Sequence, residues 1–274
     1  MKTWFITGSS SGFGKQLATQ LAQLEEVKLI ATARKLSDLA YLDRYDHGQI
    51  KKLALDVTEP EQIAAAVAAS LAFSDQIDVL VNNAGLGYFA TIEESDPARV
   101  RQMFEVNFFG LAAVTTAFLP QLRKQGQGVI VNLSSALALT TLPTMGFYSA
   151  SKYAVEGYSA ALRQEVGPLG IRVLTVEPSG ARTQWAGSAA GKVVPQIADY
   201  AAFKETVATA GNFVTQSPGN PAKIARAIIE VVTSGDFPDH LPLGQFAYEG
   251  GLANLTTLVG EIKGQRERAL AVDD

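Results

Sequence analysis

Tyr148 and Lys152 stand four residues apart in Tyr148-Ser149-Ala150-Ser151-Lys152, a stretch that reads as the beginning of a helix. That spacing puts both side chains on one helical face. An ammonium beside a phenol favours the phenolate and lowers a pKa that starts at about 10. A tyrosine so placed can donate a proton to a carbonyl oxygen or accept one from an alcohol. Alone the pair is a weak signal, because tyrosine and lysine meet by chance on many helix surfaces.

A second group of residues points to a phosphate. Thr7-Gly8-Ser9-Ser10-Ser11-Gly12-Phe13-Gly14 follows a short apolar run and precedes an amphipathic helix carrying Leu17, Leu21 and Leu24. Glycine lets the main chain turn sharply and approach a pyrophosphate, and the free N–H groups at a helix start attract the anion. Gly8, Ser10, Ser11, Gly12, Phe13 and Gly14 are therefore candidate cofactor contacts. A nucleotide-triphosphate loop is excluded, since Ser9 stands where its first glycine is needed and Gln16 follows Lys15. Gly8-Ser9-Ser10-Ser11-Gly12 also matches a hydrolase nucleophile elbow, but its place after the first strand disfavours that reading. Some 20 residues further on, where a site preferring NAD carries an acid for the ribose hydroxyls, the chain has Arg34-Lys35. A guanidinium suits the additional phosphate of NADP, so NADP(H) is the expected cofactor.

These groups need a scaffold. Trp4 to Thr7, Lys28 to Ala33, Ile50 to Leu55, Ile77 to Val81, Val129 to Leu133 and Val173 to Val176 read as strands with helices between them. Several are apolar on both faces, as in a parallel sheet covered on both sides. The expected class is α/β: one domain over residues 1–274, a doubly wound parallel sheet with helices on both faces. Thr58 with Glu61 in capping-box spacing, Asp96-Pro97 and Asn220-Pro221 mark helix starts. Residues 179–220 are irregular, with Trp185, Val193 and Val194 as apolar surface and Gly187, Gly191 and Gly211 as points of freedom. They form a candidate substrate loop or lid.

Composition narrows the function. With 47 % hydrophobic and 18 % charged residues the 274-residue chain supports a large core. A net charge of −4 without a basic block excludes a nucleic-acid binder. Asn107 and Pro120 interrupt the uncharged stretch Val106 to Leu122, so it is expected as a buried or interface helix and no membrane partner is anticipated. No cysteine is present, only His47 and His240 are, and no export signal is evident at the start of the chain. No metal site is expected, both histidines read as ordinary surface residues, and a cytoplasmic setting is expected.

Taken together the motifs resemble the short-chain dehydrogenase/reductase family over about residues 2–183, near its 17β-hydroxysteroid and retinol dehydrogenase-like branch. The glycine loop looks like the family's TGxxxGxG, Asn82-Asn83-Ala84-Gly85 like its NNAG, and Tyr148 with Lys152 like its YxxxK. The resemblance implies a Rossmann-type fold and an oxidoreductase moving a hydride between a nicotinamide and a carbonyl or alcohol carbon. It implies Tyr148 as the acid/base, and Ser135, thirteen residues earlier, as the hydrogen-bond donor to substrate. Lys152 would hold the nicotinamide ribose, and Asn107 would support a relay water. Ser134 is the rival to Ser135, with strand alternation allowing only one of them into the site. Asp56 with Val57 would meet the adenine, and Asn83, Ala84, Gly85, Pro178, Gly180 and Thr183 would line the cofactor. Ser179 departs from the family's glycine after Pro178, and activity is expected to survive if Gly180 takes the turn. Leu86, Tyr88, Phe89, Leu139, Leu142, Met145 and Trp185 are the candidate apolar substrate pocket, for a small ketone, aldehyde or alcohol. A homodimer or homotetramer is implied, pairing through Phe108 to Leu119 and the helix after Tyr148. The alternative is a regulatory protein that binds NADPH without turnover.

Overall fold

The structure is a computed structural model and describes residues 1–186, 190–212 and 216–273. Seven strands form one parallel sheet in the order β3-β2-β1-β4-β6-β7-β9. They are β1 (Lys2–Ile6), β2 (Val27–Ala33), β3 (Ile50–Ala54), β4 (Val79–Asn82), β6 (Gly128–Leu133), β7 (Ile171–Pro178) and β9 (His240–Leu243). The first six are the expected strands, displaced by no more than a few residues. A separate parallel pair joins β5 (Gly87–Phe89) to β8 (Ala190–Lys192). Neither β9 nor this pair was expected from sequence. His240-Leu241-Pro242-Leu243 contains a proline, which marks an edge strand, and the three-residue strands are too short to show a period.

Alternation of side chains sorts the strands between two cores. Trp4 and Ile6 of β1 pack under α1 (Gly12–Leu21), while Phe5 between them faces the opposite side. The second face is covered by α2 (Pro60–Phe73), α4 (Leu111–Gln125) and α5 (Gly146–Val166), through Ile63, Phe118 and Leu162. Helices therefore lie on both faces, the doubly wound arrangement anticipated. Asp96 caps α3 (Pro97–Phe104) by accepting from Ala98 N, and Asn220 accepts from Ala222 N and Lys223 N at the start of the helix Pro221–Thr233. Thr58 does not cap α2. That helix begins at Pro60 after Glu59, and the Thr58 hydroxyl turns back to donate to Asp56 Oδ1.

Residues 97–125 run as 29 helical residues, long and apolar enough by length and composition to cross a membrane. In the fold Val114, Thr115, Phe118 and Leu122 are buried against the sheet. The run contains a π-helical turn at Glu105–Gly110, a feature concentrated at functional sites. It carries Asn107.

Candidate active site

A cavity of about 860 Å³ opens at the C-terminal ends of β1, β4, β6 and β7, where open parallel sheets bind ligands. The glycine loop forms one wall. Thr7 Oγ1 accepts from Asn83 N and Ala84 N at 2.9 and 3.0 Å, and Asn83 Nδ2 donates to the carbonyls of Thr7 and Gly8 at 2.9 and 3.0 Å. The loops after β1 and β4 are thus one hydrogen-bonded unit. It leaves no room for side chains at two positions. At Gly8, with φ +69°, a Cβ would lie 2.9 Å from Ala84 Cα, and at Gly14 it would collide with Gly8 O and Asn83 Nδ2. Gly14 therefore closes the turn from behind and does not line the cavity.

Gly8, Ser10, Ser11, Gly12, Phe13, Arg34, Asp56, Val57, Asn83, Ala84, Gly85, Tyr148, Lys152, Pro178, Gly180 and Thr183 all line the cavity, together with Ser135. Arg34 is exposed at its rim and has no ion-pair partner among the described residues. Lys35, one residue on, points away from the lining, as alternation at a strand end requires. Asn82, the first residue of the NNAG stretch, is structural. Its amide donates to Thr115 Oγ1 and Asn132 Oδ1, and Asn132 donates to Ser159 Oγ, a buried network tying β4 and β6 to α4 and α5.

Ser135, Tyr148 and Lys152 meet at the centre. Ser135 Oγ accepts from Leu137 N at 3.1 Å, which fixes its rotamer at the end of β6. Burial pushes the Tyr148 phenol up to about 12, and the nearby Ser135 hydroxyl draws it partly back. The lowering expected from Lys152 is not what dominates, because Lys152 Nζ donates to Leu133 O at 2.8 Å and lies 6.0 Å from the Tyr148 ring centre. Burial brings Lys152 down to about 8, opposed by the charge of Glu156. A phenol so raised is neutral and carries the proton that a carbonyl reduction needs, with the ammonium of Lys152 close by. Ser134 and Ser135 both touch the cavity, but Ser135 turns to Tyr148 and Ser134 to Glu156.

Asn107 lies behind this group, fully buried and outside the cavity lining. Its Oδ1 accepts from Leu86 N at 2.7 Å, and its Nδ2 donates to Leu86 O at 3.0 Å and Ser151 Oγ at 3.1 Å. The side chain expected to support a relay water is thus committed to the backbone beside Gly85. Its π-helical turn gives it that reach, and the family spacing carried no sign of the pairing.

The apolar half of the cavity is lined by Leu86, Phe89, Leu142, Met145 and Trp185 as expected. Trp185 packs on Tyr148 and Phe89 with ring centres 4.8 and 5.9 Å apart. Tyr88 and Leu139 are corrections. Tyr88 alternates to the far side of β5, where its hydroxyl accepts from Asp96 N, and Leu139 packs against Gly251 at the start of the helix Gly251–Gly264. Sequence reasoning missed Leu137, Thr209, Asn212, Gln216, Ser217 and Phe246, which also line the cavity. Phe246 follows β9, so the C-terminal part does help close the pocket.

The candidate lid is attached at several points. β8 pairs with β5, and Glu94 Oε1 accepts from Gln196 N and Ile197 N. Val207 and Ala210 are buried with Tyr88, Phe89 and Met103. Gly187, one of its expected points of freedom, lies outside the described residues. Ser179 is also accounted for. Its Oγ accepts from Ala247 N at 2.8 Å and its N–H donates to Leu243 O at 2.8 Å, so the residue stitches the loop after β7 to the turn after β9. Gly180 does not take a left-handed turn, its φ not being positive; instead its carbonyl accepts from Gly219 N. Ser179→Ala strands the buried Ala247 N–H, and the expected loss is about 1–2 kcal/mol of stability in urea denaturation.

The chain matches the family model described as short chain dehydrogenase over residues 2–194. It belongs to the short-chain dehydrogenase family. Oxidoreductase BOA17 of Botryotinia fuckeliana is 36 % identical, with 90 % of each chain covered. The 3-ketodihydrosphingosine reductase of Bacteroides thetaiotaomicron is 34 % identical, with 87 % of this chain and 86 % of the relative covered. Among solved structures, a short-chain dehydrogenase from Streptomyces avermitilis superposes with a TM-score of 0.90 at 35 % identity, covering 100 % of this chain and 98 % of the other. Residues from the glycine loop, the NNAG stretch and the YxxxK pair of this family member line the cavity.

Proposed function

We propose that this short-chain dehydrogenase is an NADP(H)-dependent oxidoreductase acting on a carbonyl or alcohol carbon of a small apolar substrate. The observation that carries the reading is the convergence of Ser135, Tyr148 and Lys152 in the cavity that also contains the glycine loop. The tight turn at Gly8 and Gly12, both of positive φ and both lining the cavity, fits a pyrophosphate, and Arg34, exposed without an anionic partner among the described residues, fits a 2′-phosphate. A bound nicotinamide supplies or accepts the hydride. Ser135 orients the substrate oxygen, Tyr148 donates its proton to that oxygen in reduction, and Lys152 holds the ribose and keeps positive charge near the phenol. Asn83, Ala84 and Gly85 bound the nicotinamide side, and Asp56, oriented by Thr58, bounds the adenine side.

An apolar substrate is supported by Leu86, Phe89, Leu142, Met145 and Trp185, and one relative is named as the reductase of a keto compound. We also propose the 17β-hydroxysteroid and retinol dehydrogenase-like branch, and an oligomer that covers Phe109 and Tyr153, which are 53 % and 42 % exposed.

The test is NADPH and NADH consumption by the wild type and Tyr148→Phe across apolar ketones, aldehydes and diketones. Turnover abolished by the substitution is expected. Tight NADPH binding without turnover on any of them supports the regulatory alternative. Arg34→Ala is expected to raise the KM for NADPH by about 10- to 100-fold, the equivalent of one or two charge-assisted hydrogen bonds, and to leave the KM for NADH nearly unchanged. Equal effects on both cofactors would remove the assignment to NADP(H).

A further inference from the structure

Glu156, Glu177 and His240 form a cluster of titratable side chains that the proposed proton transfer does not use. Their charged atoms all lie within 4.8 Å of one another. His240 is not the ordinary surface residue its sequence context suggests. Its Nδ1 is 2.9 Å from Glu177 Oε1, 3.6 Å from Glu156 Oε2 and 3.0 Å from Thr175 Oγ1.

The two carboxylates are not equivalent. Glu177, on β7, is fully buried and well supplied, with His240 on one oxygen and Leu241 N donating to the other at 2.9 Å. Glu156, on α5, has both oxygens buried without a hydrogen-bond partner among the described residues. Burial, with the charge of Glu177 beside it, raises the pKa of Glu156, and the hydroxyls of Ser134 and Thr175 and the His240 ring draw it partly back, although neither hydroxyl completes a hydrogen bond to it. An ionised carboxylate in such a setting needs an opposite charge nearby. Two basic side chains are near it: His240 from β9, with Nδ1 3.6 Å from Glu156 Oε2, and Lys152 from the preceding turn of its own helix, four residues earlier. His240 is already matched by Glu177. Arg163 of α5 and Asp239 before β9 complete the charged surroundings, paired with each other at 3.2 Å.

Lys152 has the complementary need. It is 5 % exposed, and its Nζ donates to the neutral carbonyl of Leu133. Burial works against its charge, and Glu156 works for it. Glu156 does not line the cavity, so its influence on chemistry passes through Lys152.

We propose that Glu156 is a positioning residue for the proton-transfer group: its carboxylate, set among Glu177, His240 and Lys152, keeps the Lys152 side chain in its ammonium form from outside the cavity. The effect on turnover rests on the role given to Lys152 under the proposed function. The effect on Lys152 itself does not.

Two readouts separate these. Lysine labelled with 13C at Cε, with the Lys152 signal assigned through Lys152→Arg, reports the Lys152 titration by NMR without turnover. In Glu156→Gln its midpoint is expected to fall by about one pH unit, and in Glu156→Asp, which keeps the charge, to return most of the way. Glu156→Leu, neutral and of similar volume, gives the same reading should the amide be poorly accommodated. An unchanged midpoint in a folded neutral variant overturns the proposal. In the reduction assay the alkaline limb of the pH profile is expected to move to lower pH by the same amount, with the plateau below it retained. A purely structural role lowers the whole profile without moving its limb and overturns the proposal. A shifted NMR midpoint with no turnover by the wild type leaves Glu156 acting on Lys152 and counts against the enzymatic reading alone.

Discussion

Tyr148→Phe is expected to lower kcat by about 10³-fold, the usual reach of a positioned general acid, while NADPH affinity stays within about twofold. The substitution removes one oxygen. The ring packing on Trp185 at 4.8 Å, the Lys152 bond to Leu133 O and the cap that Ser135 makes to Leu137 N involve no phenolic hydroxyl and persist. Loss of turnover therefore reports the proton and not a collapsed cavity. Because burial pushes the phenol up to about 12, Tyr148 is protonated throughout the neutral range and reduction needs no prior proton uptake by it. Lys152, at about 8, is the group that titrates first as pH rises. The wild-type reduction rate should be level below that region and fall above it, as the ammonium beside the phenol is lost. Steady-state kinetics from pH 6 to 10 check this. A rate that rises through that region would mean that the required form is the deprotonated one.

Asn107→Ala is expected to cost about 3–4 kcal/mol and to lower Tm by roughly 10 °C in calorimetry. Its side chain satisfies both Leu86 N and Leu86 O, and removing the amide takes the partner from both backbone groups at once. Ser151 Oγ suffers less, since it also donates to Tyr148 O. Activity falls with stability, because Leu86 follows Gly85 and both line the cavity. Asn107→Asp retains an acceptor for Leu86 N and loses the donor to Leu86 O, so an intermediate Tm is expected. If Asn107 served only to hold a relay water, the alanine variant would lose kcat with its Tm unchanged.

Much of this molecule was legible in the chain. Apolar runs such as Val79-Leu80-Val81, alternating with helical stretches, are dictated by burial on both faces of a parallel sheet and settle six strands and the doubly wound class. The glycine loop, the Tyr148 and Lys152 spacing and Arg34 are local, because a tight turn, a helix repeat and a strand end each depend on neighbours within a few residues. Of the residues they single out, Gly8, Ser10, Ser11, Gly12, Phe13, Arg34, Tyr148 and Lys152 line the cavity and Gly14 and Lys35 do not, while the other eight lining cofactor residues came from the family resemblance. What could not be read depends on residues distant in sequence. β9 joins the sheet by pairing with β7, and the hydroxyl of Ser179 finds its purpose 68 residues away at Ala247 N. Asn107 and Leu86 meet across 21 residues through a π-helical turn, and Tyr88 is turned from the pocket by a strand only three residues long. The pKa of Tyr148 is the sharpest case. Spacing alone promised a lowered value by charge, whereas the tertiary structure raised it by burial, since desolvation depends on how completely the rest of the fold excludes water. The sequence determined which groups could do chemistry, and packing decided their charge, their direction and which of them reach the cavity.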